Sequence, residues 1–334
     1  MLYLTTRNRK DAFTAHHALR SDRAADGGLF VPFQLPQFSA ADLEDLKAKT
    51  FGQCTAEILN LFFNGRLTGW DVDFYIGRRS CRFTPMGRKI VMAEPWHNSD
   101  RSFETMVRNL ARHLHDNDGA PSNWTCVAIR IAVLFGLYGM YAKGDFAGND
   151  GPVDIAVPGG DLLWVVAAHY SRQMGLPLGM IVFSCGEGSG IWDLLHHAQA
   201  RTDALCRHGD NLERLIAGTL GNEEAQRYHD ACSKGGIYTV GEEQIRQLSD
   251  GLFCAIVSQK RIGSVIRNVY RTNDYLLDPS SASAYGALQD FRATAAETRP
   301  AWILTEGSPI LSAEEVSGAL GISASALRSM INGN

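Results

Sequence analysis

A chain of 334 residues with 45% apolar content can bury one large core or two moderate ones, which excludes a disordered polypeptide. Its formal charge of −4 and pI near 6.2 provide no general attraction for phosphate backbones or anionic lipids, so neither nucleic acid nor a membrane is an expected partner. Seven cysteines, at 54, 81, 126, 185, 206, 232 and 254, are scattered with no Cys-x-x-Cys pair, the usage of a reduced cytoplasmic protein.

The first ten residues, Met1 to Lys10, are basic but lack the apolar run of a secretion signal, so export is not expected. Asp26-Gly-Gly-Leu-Phe-Val-Pro32 sets two glycines before an apolar run, a tight turn leading into extended chain. From Ser39 to Phe63 apolar residues recur at helical spacing, predicting two amphipathic helices with Ser39 as a cap. Ser102 can cap a further helix with Phe103, Met106, Val107, Leu110 and Leu114 on one face. The next helix is expected from Val127 to Tyr141. The apolar stretch from Ile129 to Ala142 within it is shorter than the roughly 18–20 residues that span a bilayer and carries Arg130, so it reads as a buried helix.

Asp154-Ile-Ala-Val-Pro158 then predicts a buried strand, Gly159-Gly160 its turn, Leu162 to Met174 a helix, and Met180-Ile-Val-Phe183 the next strand. This βαβ unit implies a parallel sheet whose ligand cleft lies at the carboxyl ends of its strands, where Gly159-Gly160 falls. From Asp210 onward helices are expected to dominate, with one further strand at Ala301–Thr305. The tail from Leu311 to Arg328 has the spacing of a helix-turn-helix, with Gly321 in the turn and Ser323 capping the second helix, yet Arg328 is that helix's sole cation.

Several segments, in this order, resemble threonine synthase, a pyridoxal phosphate enzyme that converts phosphohomoserine to threonine. They are Asp26-Gly-Gly-Leu-Phe-Val-Pro32, Glu94-Pro-Trp-His97 through Ser102-Phe103, Asp154 to Gly160 with Met174-Gly-Leu-Pro177, Asn211-Leu-Glu-Arg-Leu215, and Asp278-Pro279 with Ala282. The resemblance implies an α/β fold of the threonine synthase, fold type II pyridoxal phosphate kind: a parallel-sheet core plus a mixed N-terminal domain. Its expected divisions are 1–90, an N-terminal domain; 91–312, a residual large α/β domain; and 313–334, a helical tail.

The departures from the family pattern bear directly on function. Where the family's Glu-Leu-Phe-His-Gly-Pro-Thr-x-Ala-Phe-Lys run carries the Schiff-base lysine, this chain reads Glu94-Pro-Trp-His-Asn-Ser-Asp-Arg-Ser-Phe-Glu104. A carboxylate cannot condense with the cofactor aldehyde, so Glu104 removes the nucleophile and proton carrier together. None of the seven lysines, at 10, 47, 49, 89, 143, 234 and 260, falls there. The family's phosphate loop, Pro-Ser-Gly-Asn-Phe-Gly-Asp, becomes Pro158-Gly-Gly-Asp-Leu-Leu-Trp164. Asp161 then brings negative charge to the seat of a dianion, an unfavourable term of about 1–4 kcal/mol depending on local dielectric. The plainer reading of this loop is a strand-to-helix turn with Asp161 as N-cap. Finally, the family's mobile small domain, inserted after the lysine helix, is reduced here to the connector around Asn117-Asp-Gly-Ala-Pro121.

The resemblance thus designates Glu104, His97 and Glu94 as the catalytic-position residues and Gly159, Gly160, Asp161 and Thr305 as vestiges of the cofactor site. No metal is expected, and no cofactor, pyridoxal phosphate included. Glu94, His97, Glu104 and Asp161 would share the cleft and could run acid–base chemistry, although a helix N-terminus alone explains Glu104. His196 and His197, adjacent on a helix, point apart and read as surface residues. Cys185 in Cys185-Gly-Glu-Gly-Ser-Gly190 would need an activating partner to be a nucleophile, and the sequence identifies none. The expected function is that of a threonine synthase-like protein without the parent activity, in a binding or regulatory role. The rivals are an enzyme with cofactor-independent chemistry on Glu104 and His97, and a protein-interaction subunit. The expected partner is a small molecule in the vestigial cleft or a protein, a second copy of the chain included.

Overall fold

The computed structural model describes residues 1–77, 81–87, 89–95, 102–115, 121–143, 151–295 and 298–332. Strands β1 (Leu2–Thr5), β2 (Phe13–Thr14) and β3 (Phe30–Pro32) form a small antiparallel sheet in the order β2-β1-β3 around helix α1 (Ala15–Arg20). Asp26 and Gly27, the latter at φ +75°, make the turn into β3, and Asp26 accepts hydrogen bonds from the Gly28 amide and the Thr5 hydroxyl. Helices α2 (Ala40–Lys47) and α3 (Phe51–Phe63) follow as expected, each opened by a reciprocal cap, Ser39 with Asp42 and Thr50 with Gln53. A short helix, α4 (Gly69–Val72), leads to the main sheet.

That sheet has six strands among the described residues, β4 (Arg82–Pro85), β5 (Ile90–Glu94), β6 (Val153–Pro158), β7 (Leu178–Cys185), β10 (Leu252–Ile256) and β11 (Ala301–Leu304), in the order β10-β7-β6-β11-β5-β4. All neighbours are parallel except β4 and β5. Alternate residues along each strand serve two separate cores. Ile155, Val157, Ile181, Phe183, Trp302 and Leu304 face one, with α3, α5 (Phe103–His115), α6 (Asn123–Lys143) and α7 (Leu163–Gln173). Ala156, Val182, Ala301 and Ile303 face the other, with α13 (Gln259–Asn273), α14 (Pro279–Thr294) and α15 (Ala313–Leu320). Alanines 282, 284 and 287 on α14 are fully buried, and their small size lets that helix lie close against β6 and β7.

Between these elements run α8 (Gly190–His197), β8 (Gln199–Arg201), α9 (Thr202–Leu205), α10 (Asp210–Leu220), α11 (Asn222–Lys234), β9 (Ile237–Thr239) and α12 (Glu242–Ser249), with β8 and β9 pairing as a two-stranded ribbon. The expectation of one strand after Asp210 is therefore wrong: β9 and β10 lie there too. Leu252–Ile256 is only five residues long and flanked by helices, so its apolar run carries no period by which to separate strand from buried helix. His196 and His197 are exposed and pack on Trp192, the surface placement expected of them.

Two helices differ from expectation in ways that matter. Helix α6 begins at Asn123 rather than Val127 and runs 21 residues, long and apolar enough to cross a membrane by length and composition. Length therefore does not distinguish it; burial does, since 78% of its apolar window lies inside the protein, packed on α3 and α7. The tail forms α15 and α16 (Ala324–Asn332) joined at Gly321 (φ +72°), and it docks on α13 through an Arg267 bond to the Ala319 carbonyl and the buried Leu327.

Candidate functional site

The carboxyl ends of β6 and β11 lie side by side while their outgoing chains diverge to opposite faces, the place where a doubly wound sheet opens a crevice. Gly159, at the end of β6, has no room for a side chain: an added Cβ would stand 2.1 Å from the Ser184 carbonyl oxygen. His208 holds the Gly160 carbonyl through Nδ1 at 3.1 Å, and Asn211 donates to the Asp161 carbonyl at 2.7 Å. Burial lowers the His208 pKa, favouring the neutral ring with its proton on Nδ1, while Nε2 pairs with the Ser189 hydroxyl.

Asp161 is not the N-cap of α7. Leu162 takes that position at φ +61°, and the Asp161 carboxylate folds back to accept the Leu163 amide at 3.0 Å. The first free donor of the helix is thus met by the chain's own anion, which occupies the ground where an external anion would bind.

Below the loop lies a group that only partly involves the sequence candidates. Glu104, in the first turn of α5, places Oε2 2.6 Å from Nη2 of Arg130 on α6. The Arg130 side chain is 2% exposed and that of Glu104 46%. The guanidinium lies over the rings of Phe103 (5.5 Å) and Trp164 (5.3 Å), which stack with centroids 5.0 Å apart. Burial acts to lower the Arg130 pKa, but the charges of Glu104 and Glu306 and the hydrogen bond to Glu104 oppose it and hold the value above that of a free arginine.

Glu306, just past β11, links four elements. Its carboxylate accepts Trp164 Nε1 at 2.9 Å and the Ser280 hydroxyl at 3.0 Å, and its carbonyl accepts the Phe103 amide at 2.8 Å. Burial raises the Glu306 pKa, against the pull of Arg130 and these hydrogen bonds. Trp164, 1% exposed, therefore fills the space between the glycine loop and the start of α5.

The other candidates separate from this group. Glu94 is 1% exposed at the end of β5, bonded to Arg82 (2.8 Å), Thr84 (2.5 Å) and Tyr275 (2.8 Å) and sharing none of these partners with Glu104. A common acidic cluster of Glu94, Glu104 and Asp161 does not form, because Glu94 turns toward the antiparallel edge strand. Among the described residues no group of three or more His, Cys, Asp or Glu is arranged to hold a metal. Thr305 is buried, its hydroxyl donating to the Ala93 carbonyl at 3.3 Å within the sheet. His97 lies outside the described residues.

Arg130, Trp164 and Glu306 are the residues that sequence reasoning missed. The signals were present: an arginine inside an otherwise apolar helix, a tryptophan after a glycine loop, and an acid directly following a central strand. The segment Asn211–Leu215 also gains a role. Asn211 pins the loop, Glu213 binds Thr6 and Arg7, and the fully buried Arg214 donates to the Phe30 carbonyl, tying the small N-terminal sheet to the main one.

Asp278 caps α14, accepting the Ser280 and Ser281 amides at 3.0 and 3.1 Å, and burial pushes its pKa up to about 6 against the opposing Ser281 hydrogen bonds. A carboxyl whose pKa is higher folded than unfolded (about 3.9) adds stability below the unfolded value and loses it as pH rises through the folded one. Two units correspond to about 3 kcal/mol, so urea titrations are expected to show wild type losing that much relative to an Asp278→Asn variant between about pH 4 and 6. Asp278→Asn, which keeps a capping oxygen, should lack that component.

The doubly wound sheet with its glycine turn at the carboxyl edge is the architecture of fold type II pyridoxal phosphate proteins. The chain superposes on "PLP bound Threonine synthase from Brucella melitensis" with a TM-score of 0.79 at 16% identity, covering 97% of this chain and 92% of that one. Residues 2–78 match the family "Threonine synthase N terminus". A "Threonine synthase" of Schizosaccharomyces pombe is 35% identical over 60 residues, 18% of this chain and 12% of that protein. "Threonine synthase-like 1" of Macaca fascicularis is 23% identical over 178 residues, 48% of this chain and 24% of that protein. The sequence matches thus span a quarter or less of these relatives. The chain therefore has the fold of the threonine synthase structures, and its residues 2–78 are similar to the N-terminal region of that family.

Proposed function

We propose that this threonine synthase-like protein does not carry out the family's pyridoxal phosphate reaction and works in the cytoplasm as a binding or regulatory protein. The observation that carries the proposal is the Glu104–Arg130 pair sealed by Trp164 and Glu306. When bound, pyridoxal phosphate supplies an electron sink to a substrate held on a lysine. The residues here do not fit it. The position matching that lysine holds an acid committed to a buried arginine, the Asp161 carboxylate meets the first amide of α7, and an indole fills the space between them. Lys47, Lys49 and Lys143 are engaged around α2 and the start of α3, and Lys89 sits at the amino end of β5, opposite the crevice.

The same geometry argues against acid–base chemistry by Glu104, whose Oε2 is taken up by Arg130. Purified protein mixed with excess pyridoxal phosphate is expected to develop no absorbance near about 410–430 nm. Glu104→Lys alone should not restore it, because Trp164 and Asp161 still occupy the site. Pyridoxyl trapped on any side chain of the wild-type protein by borohydride would overturn the proposal.

A further inference from the structure

Where the N-terminal sheet meets the helices, a cavity of about 580 Å³ opens between the chain leaving β3, the end of α7 and the turn from α10 to α11. That volume lies in the range of sites that take small molecules. Its apolar part comes from Val31, Pro32, Phe33 and Leu35, together with the buried Tyr170, whose ring lies 3.0 Å from where a Cβ on Gly218 would stand. Phe33 is 59% exposed, a large aromatic side chain left in water beside this opening.

The polar part of the lining is sparse and mostly neutral. Gln37, Gln173, Thr219 and Asn222 bring amides and a hydroxyl, and the Asn222 amide is spent on the Thr5 carbonyl at 2.8 Å. Behind Gln173 and Thr219 lies the buried His169, its Nε2 3.0 Å from the Gln173 amide nitrogen and 3.4 Å from the Thr219 hydroxyl; burial pushes its pKa down to about 4, so the ring is neutral. The carboxyl end of α10 and the amino end of α11 meet at Gly221, where their opposite dipole ends offset each other. The sign of the cavity is therefore set by Arg9, the one charged residue in its lining. Arg7 is committed to Glu213, whereas Arg9 is exposed and makes no ion pair or hydrogen bond among the described residues.

We propose that this cavity binds a small monocarboxylate with an apolar body, its carboxylate paired with Arg9 and its hydrocarbon part laid against Phe33 and Tyr170. A guanidinium meets a carboxylate through two parallel hydrogen bonds, which a single arginine can supply in full. A phosphate dianion would leave one charge unmet, since no second cation lines the site. The apolar body takes Phe33 out of water, the main gain available there. Such a ligand would bridge the chain after β3 to α7 and to the α10–α11 turn, adding to the bonds from Arg214 to Phe30 and from Asn222 to Thr5 that already hold the N-terminal sheet in place. The site shares no residue with the Glu104–Arg130 group, so its failure would leave the reading of that group untouched.

The test is calorimetric titration of the full-length protein with two probes of one shape, 4-phenylbutanoate and its neutral amide. Wild type is expected to bind the acid more tightly than the amide by about tenfold, the effect of one charge-assisted pair at a partly open site. Arg9→Gln should remove that preference and leave the amide unchanged. Gln37→Glu, which sets a like charge on the rim, should weaken the acid alone. Arg9 and Gln37 are both exposed, so the variants should keep the wild-type urea midpoint, which is measured alongside. Equal affinity for acid and amide, no binding of the acid, or an acid affinity that survives Arg9→Gln would each overturn the proposal.

Discussion

Trp164→Ala is expected to destabilise the protein by about 3–5 kcal/mol, the range for truncating a large buried aromatic side chain. The indole is 1% exposed, stacks on Phe103, lies beneath the Arg130 guanidinium and donates to Glu306, so its removal leaves a void and strips a buried carboxylate of one donor. Urea unfolding should show the midpoint falling while the slope stays constant, because the surface exposed on unfolding hardly changes. A loss below about 1 kcal/mol would mean the crevice is not sealed by this residue.

Arg130→Met should destabilise by a similar amount, about 3–5 kcal/mol, because it removes the cation from a buried group and leaves Glu306 without its main counter-charge. The signature lies in the pH dependence. Glu306 already has a raised folded pKa, and losing Arg130 raises it further, so the variant should lose more stability than wild type as pH rises. Glu104→Gln should have the smaller effect, since that side chain is 46% exposed and glutamine keeps an acceptor for Arg130. A double-mutant cycle between positions 104 and 130 measures the coupling directly.

The sequence made the α/β class, the Ser39 cap and the β6–α7–β7 unit legible, because period, capping and glycine placement are local properties. What it concealed was pairing across the fold. Glu94 and Glu104 are ten positions apart, yet strand β5 turns one toward Arg82 and Tyr275 while helix α5 turns the other toward Arg130. Arg130 looked like an interruption in an apolar helix because its partners arrive from residues 103, 104, 164 and 306. The N-cap was missed for a local reason: Leu162 accepts a left-handed conformation that pattern rules reserve for glycine or asparagine. The neighbour of Cys185 was likewise hidden: Sγ of Cys254 lies 3.2 Å from its own, 69 positions away on a strand that its sequence does not announce.

The order of strands in the main sheet has a consequence for the chain during synthesis. Strand β11, near the end of the sequence, sits between β5 and β6, which are complete long before it emerges. Until β11 has left the ribosome, the middle of the sheet is a slot flanked by two unsatisfied strand edges. A nascent chain in that condition invites pairing with foreign strands, and closure of the slot by β11 is a late, non-local event in forming the native protein.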